Sequence, residues 1–212
     1  MMVEGQIRTS DVTDARLLAA MLQVPREIFV PAGKADVAYL DLDLPVHGSG
    51  AAARCLLKPM VLARLIQAAE VNDNDRVLDV ACATGYSSAV LAQLAAEVVA
   101  LEEDAALARS AETTLRTLAI ANVGVRTGAL TAGVPAQAPY DVIVLNGAVE
   151  VMPEALPMQL KDGGRLVCVM RHGAVGRAML YRSVGGDVSG RAVFDAAAPL
   201  LPGFARPPAF VF

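Results

Sequence analysis

Two short stretches of the chain carry groups that could hold a nucleoside. The small residues Ala81-Cys82-Ala83-Thr84-Gly85 follow the apolar segment Arg76–Ala81, and an acid, Glu102, closes the next one, Glu97–Glu102. In an open α/β sheet, the turn after the first strand is where a nucleotide-like ligand lies. Small side chains at Ala81, Ala83 and Gly85 let a ligand approach the backbone closely, and a strand-end carboxylate can accept from both hydroxyls of a ribose. The run Val77–Tyr86 lacks the G-x-G-x-x-G spacing of a dinucleotide cradle. The pattern therefore suits an adenosine-sized ligand. A plainer reading stays open beside it, with Ala81 and Ala83 packing a tight strand–helix turn and Glu102 solvated at a strand end. Asn146 ends a further apolar segment, Asp141–Leu145, where it either caps the strand or faces the ligand.

These groups need a scaffold, and the pattern around them predicts one. From Arg76 onward, continuous apolar strands at 76–81, 97–102, 123–127, 141–145 and 165–170 alternate with helical segments at 86–95, 105–118 and 154–160. Strands apolar on both faces and separated by helices predict a doubly wound, mostly parallel sheet. Upstream, a helix follows Thr13-Asp14 with Leu18, Met21 and Leu22 on one face and stops before Pro25. A second helix opens at Pro59, a residue suited to the first turn, with Leu62, Leu65, Ile66 and Ala69 as its apolar face. The first fifty residues otherwise read as helix and loop. Downstream, Gly173, Gly176 and Gly185-Gly186 separate short segments, which predicts antiparallel strands at the end. The expected architecture is one α/β domain over residues 1–212 with a seven-stranded sheet. Residues 1–58 form a helical and loop extension on the substrate side, 59–170 the ligand-binding core and 171–212 the closing strands.

Composition narrows the classes. The chain has 212 residues and a net charge of −4, with 55% hydrophobic and 19% charged side chains, a balance that argues against a nucleic-acid or polybasic membrane surface. Cys55, Cys82 and Cys168 are too widely spaced for a zinc site or a disulfide framework and fit a reducing compartment. No apolar stretch reaches the roughly 18 residues of a membrane helix, and the start Met1–Arg8 has no basic-then-apolar leader. A cytoplasmic location is the expectation.

Four blocks, in order, resemble the protein-L-isoaspartate O-methyltransferase family of S-adenosylmethionine-dependent methyltransferases. They are Val24–Pro31 (V-P-R-x-x-F-V-P) with Ala38-Tyr39; Lys58–Ala63; Val77–Tyr86 with Ser88–Ala92; and Pro139–Val144 with Pro153, Leu156, Gln159-Leu160 and Gly163–Val167. The first block is the most specific. The resemblance implies a Rossmann-like methyltransferase fold and transfer of the S-adenosylmethionine methyl to the free α-carboxylate of an isoaspartyl residue in a damaged protein or peptide. It assigns cofactor contacts to Asp79, Ala81, Cys82, Ala83, Gly85, Tyr86, Glu102, Ala129, Leu130 and Asn146. Such a reaction needs neither metal nor general base, because the nucleophile is already ionised and the methyl already activated. Positioning in a dry pocket supplies the acceleration.

The chain departs from that pattern at four places. Ala81 and Ala83 stand where the family has glycine, and Ala129 where it has an acid for the adenine amino group. Leu57 stands where it has a serine that bonds the acceptor carboxylate. Alanine is strain-free at 81 and 83 only if φ is negative there. His47, Ser49 and Arg54 are the candidates to replace the missing donor, although a solvated loop position for His47 and a surface ion pair for Arg54 are the plainer readings. Phe204, Phe210 and Phe212 read as tail packing. Three functions are consistent with these residues: the isoaspartyl enzyme with a remodelled acceptor loop, an enzyme of the same fold with another acceptor, or a non-catalytic binding protein. A nicotinamide oxidoreductase is disfavoured by the missing glycine spacing.

Overall fold

A computed structural model describes residues 2–50, 53–173 and 175–207. It contains one seven-stranded sheet in the order β5-β4-β3-β6-β7-β8-β9 and a separate two-stranded ribbon, β1-β2. The sheet strands are β3 (Arg76–Val80), β4 (Glu97–Glu102), β5 (Val123–Thr127), β6 (Tyr140–Val149), β7 (Leu160–His172), β8 (Val175–Val184) and β9 (Asp187–Asp195). The first five of these pair in parallel, and β8 and β9 close the edge antiparallel. From β3 the chain winds outward through β4 to β5, then returns to lay β6 on the other side of β3. That reversal opens a crevice at the carboxyl end of β3.

Helices form where sequence and capping agree. In α1 (Ala15–Gln23), the Asp14 side chain accepts from the Arg16 and Leu17 amides, and Asp104 does the same for Ala106 and Leu107 at the start of α4 (Ala105–Thr117). Pro59 occupies the first turn of α2 (Pro59–Ala69), which buries Leu62, Leu65, Ile66 and Ala69 as expected. Burying each of the large aliphatic side chains contributes about 1.5–3 kcal/mol. Gly85, at φ 94°, turns the chain from β3 into α3 (Tyr86–Ala92). A Cβ there would also stand 3.1 Å from that of Ala111 on α4, so both the angle and the space require glycine. The core has two main layers, one on each face of the sheet. One holds α1, α2 and α3 through residues such as Leu17, Leu65, Val90 and Val142. The other gathers Leu78, Ile143, Leu145, Leu166 and Phe204.

Four expectations need correction. In α1 the buried face is Leu17, Leu18 and Met21, while Leu22 is 62% exposed. The N-terminal region is not wholly helix and loop, since β1 (Leu44–His47) and β2 (Arg54–Leu56) pair antiparallel. The segment 154–160 holds only a single 3-10 turn at Pro157–Gln159, because Pro153 and Pro157 leave no room for a continuous helix. Strands β6 and β7 are also longer than the apolar runs that mark them.

Beyond β9 the chain folds back along the carboxyl end of β6. The Ala148 amide donates to the Pro199 carbonyl (2.7 Å), the Leu201 amide to Ala148 (2.9 Å), and the Glu150 amide to Phe204 (3.0 Å). Leu201 lies so close that a Cβ on Gly147 would meet its side chain at 2.5 Å. Phe204 is fully buried, as tail packing predicts, whereas Phe210 and Phe212 lie outside the described residues.

Candidate active site

The crevice at the end of β3 is floored by the Ala81–Gly85 turn. Its backbone is pinned to β4, with the Ala81 and Cys82 amides donating to the Leu101 carbonyl at 2.8 and 3.1 Å. The pinning forces left-handed backbone at two non-glycine positions: φ is 64° at Ala81 and 52° at Ala83. The turn thus keeps the conformation that glycine would adopt freely, at a cost of about 1–2 kcal/mol per residue. Both alanines are buried, and both line a cavity of about 10 Å³ together with Leu56, Leu57, Tyr86 and Asn146.

Beneath the turn lies Asp79, fully buried on β3. Its carboxylate accepts from the hydroxyls of Ser87 (2.8 Å) and Ser88 (2.5 Å) and from the Asn146 amide (2.6 Å). Burial pushes its carboxyl up to about 6, and the three donors oppose the rise. All of this carboxylate's contacts are spent on the start of α3 and on Asn146, which also donates to the Val80 carbonyl at 3.1 Å. Asp79 therefore ties β3, β6 and α3 together at the crevice. Burial also raises the Cys82 thiol well above its ordinary value, so it is a packing group rather than a nucleophile.

Glu102, at the end of β4, has no exposed surface. One carboxylate oxygen accepts from the Glu103 and Asp104 amides at 3.0 and 3.2 Å, and the other from the Ala83 amide at 2.8 Å and from Arg54 Nη2 at 2.7 Å. Arg54 is thus not a surface group. It reaches in from β2 with 8% of its side chain exposed and pairs with the acid that sequence reasoning had singled out. His47, on β1, is exposed and lies 3.5 Å from Asp104, and Ser49 is exposed. Leu57 is 3% exposed and belongs to the core layer that holds α2. At the adenine end expected from the pattern, Leu130 is buried and Ala129 is exposed.

Arg26 is a residue whose role sequence reasoning missed, although it lies in the block Val24–Pro31. It is fully buried, donates from Nε to the Ala38 carbonyl (2.9 Å) and from Nη2 to the Leu57 carbonyl (2.7 Å), and stacks 4.4 Å over the Tyr86 ring. Phe29 packs edge-on against the same ring at 5.6 Å, and its carbonyl accepts from the Thr84 hydroxyl at 2.5 Å. The block is therefore a bracket that fixes the Leu57 backbone, the start of α3 and the turn in one unit. An Arg set between Pro25 and Phe29 in the V-P-R-x-x-F-V-P pattern was the signal available. Its partners, at 12 and 31 residues' separation, were not. Among the described residues no group of His, Cys, Asp and Glu side chains could hold a metal, and no helix is long and apolar enough to cross a membrane.

Comparison with known proteins agrees with this geometry. The family described as protein-L-isoaspartate(D-aspartate) O-methyltransferase matches residues 1–193. A protein-L-isoaspartate O-methyltransferase 1 of Rhodopseudomonas palustris (strain HaA2) is 44% identical over 167 residues, 78% of this chain and 66% of that protein. A solved protein-L-isoaspartate O-methyltransferase superposes with a TM-score of 0.82 at 26% identity, over 92% of this chain and 63% of the other. A Plasmodium falciparum structure described as a β-aspartate methyltransferase in complex with S-adenosyl-L-homocysteine shares the fold at a TM-score of 0.76 and 19% identity, over 94% of this chain and 96% of the other. This chain therefore spans somewhat less than two thirds of the first relative and of the first solved structure. With a family match over residues 1–193, a relative 44% identical and a shared sheet fold, the chain belongs to the protein-L-isoaspartate(D-aspartate) O-methyltransferase family of S-adenosylmethionine-dependent methyltransferases.

Proposed function

We propose that this chain methylates the free α-carboxylate of isoaspartyl residues in proteins or peptides, using S-adenosylmethionine. The observation that carries the reading is the buried Glu102 carboxylate at the carboxyl end of β4, set against the left-handed Ala81–Gly85 turn at the sheet's switch point. The residues suit the cofactor's nucleoside end. Glu102 is an acceptor for the ribose diol, and the backbone of Ala81, Cys82, Ala83, Gly85 and Tyr86 is a floor without bulky side chains in its first half. Ala129 and Leu130 offer an apolar edge for the base. Asp79 serves indirectly, by holding Asn146 and Ser87 at the cavity wall. When bound, S-adenosylmethionine supplies a methyl group already activated on a sulfonium sulfur.

The chain's own residues then have two tasks. The Arg26 bracket holds Leu57 and Tyr86 so that the acceptor and cofactor sides keep a fixed spacing. Leu56, Leu57 and Leu62 exclude water from the cavity, which strengthens every charge interaction inside it. No side chain is asked to take a proton, since a carboxylate nucleophile has none to lose.

A second reading, the same chemistry on a different acceptor, is favoured by one observation: Leu57 is a buried apolar wall where the family carries a hydroxyl. An unmatched carboxylate beside it forfeits about 2–4 kcal/mol. The deciding assay is transfer of labelled methyl to an isoaspartyl peptide, with the matching aspartyl peptide as control. Label on the isoaspartyl peptide alone is expected. Equal labelling of both, or labelling of neither by protein that binds S-adenosylhomocysteine, overturns the proposal in favour of another acceptor.

A further inference from the structure

Arg54 is poorly explained as a structural ion-pair partner. Glu102 already accepts from three backbone amides, so its satisfaction does not depend on a guanidinium. Arg54, in turn, gives Glu102 one nitrogen, Nη2, while its Nε is buried without a hydrogen-bond partner among the described residues. A buried guanidinium with an idle donor directed along the fork is a geometry suited to a second, planar anion. Its location is also specific. Arg54 lies three residues before Leu57 on the ribbon that walls the cavity, and the ribbon touches the end of β4 a second time through His47 and Asp104. The cavity below is about 10 Å³, against the roughly 300–1,000 Å³ of ordinary small-molecule pockets. Glu102 has no exposed surface and Arg54 holds one of its oxygens, so a hydroxyl that bonds that oxygen competes with the guanidinium.

We propose that Arg54 is a two-position carboxylate receptor, latched to Glu102 before the cofactor binds and passed to the acceptor's carboxylate once the ribose has taken Glu102. This rests on the methyl-transfer reading above. It gives the chain the donor that Leu57 withholds, and it makes binding ordered: the cofactor releases the group that recognises the acceptor. Because coupling between two ligands is reciprocal, each must raise the affinity of the other by the same factor.

Calorimetric titration tests both halves, with S-adenosylhomocysteine and an isoaspartyl peptide as probes. Native protein should bind the peptide at least tenfold more tightly when saturated with S-adenosylhomocysteine than without it. In Arg54→Gln, which retains an uncharged donor for Glu102, S-adenosylhomocysteine should bind at least fivefold more tightly than to native protein. The peptide coupling should fall to less than twofold. Arg54→Met serves as the second variant, and a melting curve on each confirms folding. Unchanged or weaker S-adenosylhomocysteine binding in both variants overturns the latch, as does a failure of all three proteins to bind it. Coupling that persists without Arg54 overturns the receptor role. Failure of the isoaspartyl reading shows separately, as cofactor-bound native protein that transfers no methyl to the peptide while the S-adenosylhomocysteine affinities still order as stated.

Discussion

On one wall of the cavity, the Ala81–Gly85 turn carries alanines in the left-handed backbone that glycine adopts freely, with φ of 64° and 52°. Leu57, also at the cavity, and Arg54 three residues before it present instead an apolar branch and a guanidinium bonded to Glu102. The first arrangement costs strain and a little space while the hydrogen bonds to β4 persist. The second leaves the backbone undisturbed, clamped by Arg26, and sets what the wall can recognise. One region thus shows backbone strain beneath small side chains, and the other an unstrained backbone carrying a buried charge and a buried apolar branch. The two regions are nonetheless joined, since Glu102 accepts from both Ala83 and Arg54 and the Arg26 block spans Leu57, Tyr86 and Thr84.

The sharpest way to break this contrast is Glu102, whose carboxylate bonds both the Ala83 amide and Arg54. Removing its carboxylate strands the Arg54 charge and leaves the Ala83, Glu103 and Asp104 amides without their acceptor. Glu102→Ala should cost about 3–5 kcal/mol of stability, as the loss of one partner from a buried pair does. It should also lower S-adenosylhomocysteine affinity at least tenfold. Denaturant melts and titration read the two effects. An unchanged melt would mean that the two walls do not meet at Glu102.

Asp79 gives the next largest effect, confined to the cofactor wall. The unfolded chain ionises this carboxyl near its ordinary 3.8, and the folded protein only near about 6. Its contribution to stability is therefore fully present below 3.8 and lost as pH rises through about 6. At about 1.4 kcal/mol per unit, the loss is about 3 kcal/mol. The stability of native protein relative to Asp79→Asn should fall by most of that amount between pH 4 and pH 7. Parallel pH profiles for the two proteins would remove Asp79 from the account.

The alanines give the smallest effect and the cleanest. Glycine would relieve a left-handed cost of about 1–2 kcal/mol and add back about 0.5–1 kcal/mol of unfolded-chain entropy. Ala81→Gly and Ala83→Gly should each stabilise by about 1 kcal/mol or less. The double variant should bind S-adenosylhomocysteine severalfold more tightly, because both methyls line the cavity. Destabilisation by either change would show that the methyls are packing the turn rather than straining it.

What the sequence displayed and what it hid divide along similar lines. The parallel strands were legible because β3 and β4 are buried on both faces and so read as β-rich, mostly apolar runs, broken in β3 only by Asp79. Glu102 was legible from its place at a strand end. The β1-β2 ribbon was not, since strands of four and three residues, one carrying Pro45, leave no alternation long enough to register. The pairing of Arg54 with Glu102 spans 48 residues and depends on that ribbon, so the plainer expectation of a surface ion pair gave way to a buried one. Leu22 misled for a different reason. A nine-residue helix has few turns over which to tell the buried stripe from its neighbour.

The return of the chain along β6 bears on where this protein can be divided. The family match stops at residue 193, inside β9, yet Pro199, Leu201 and Phe204 supply the hydrogen-bond partners for Ala148 and Glu150, a few residues past Asn146. A fragment trimmed to the matched region would expose the far end of β6 and take away the cover that Gly147 is shaped to admit. For anyone dissecting the molecule by proteolysis or by gene truncation, the packed unit extends at least to Phe204, beyond the end of the family match.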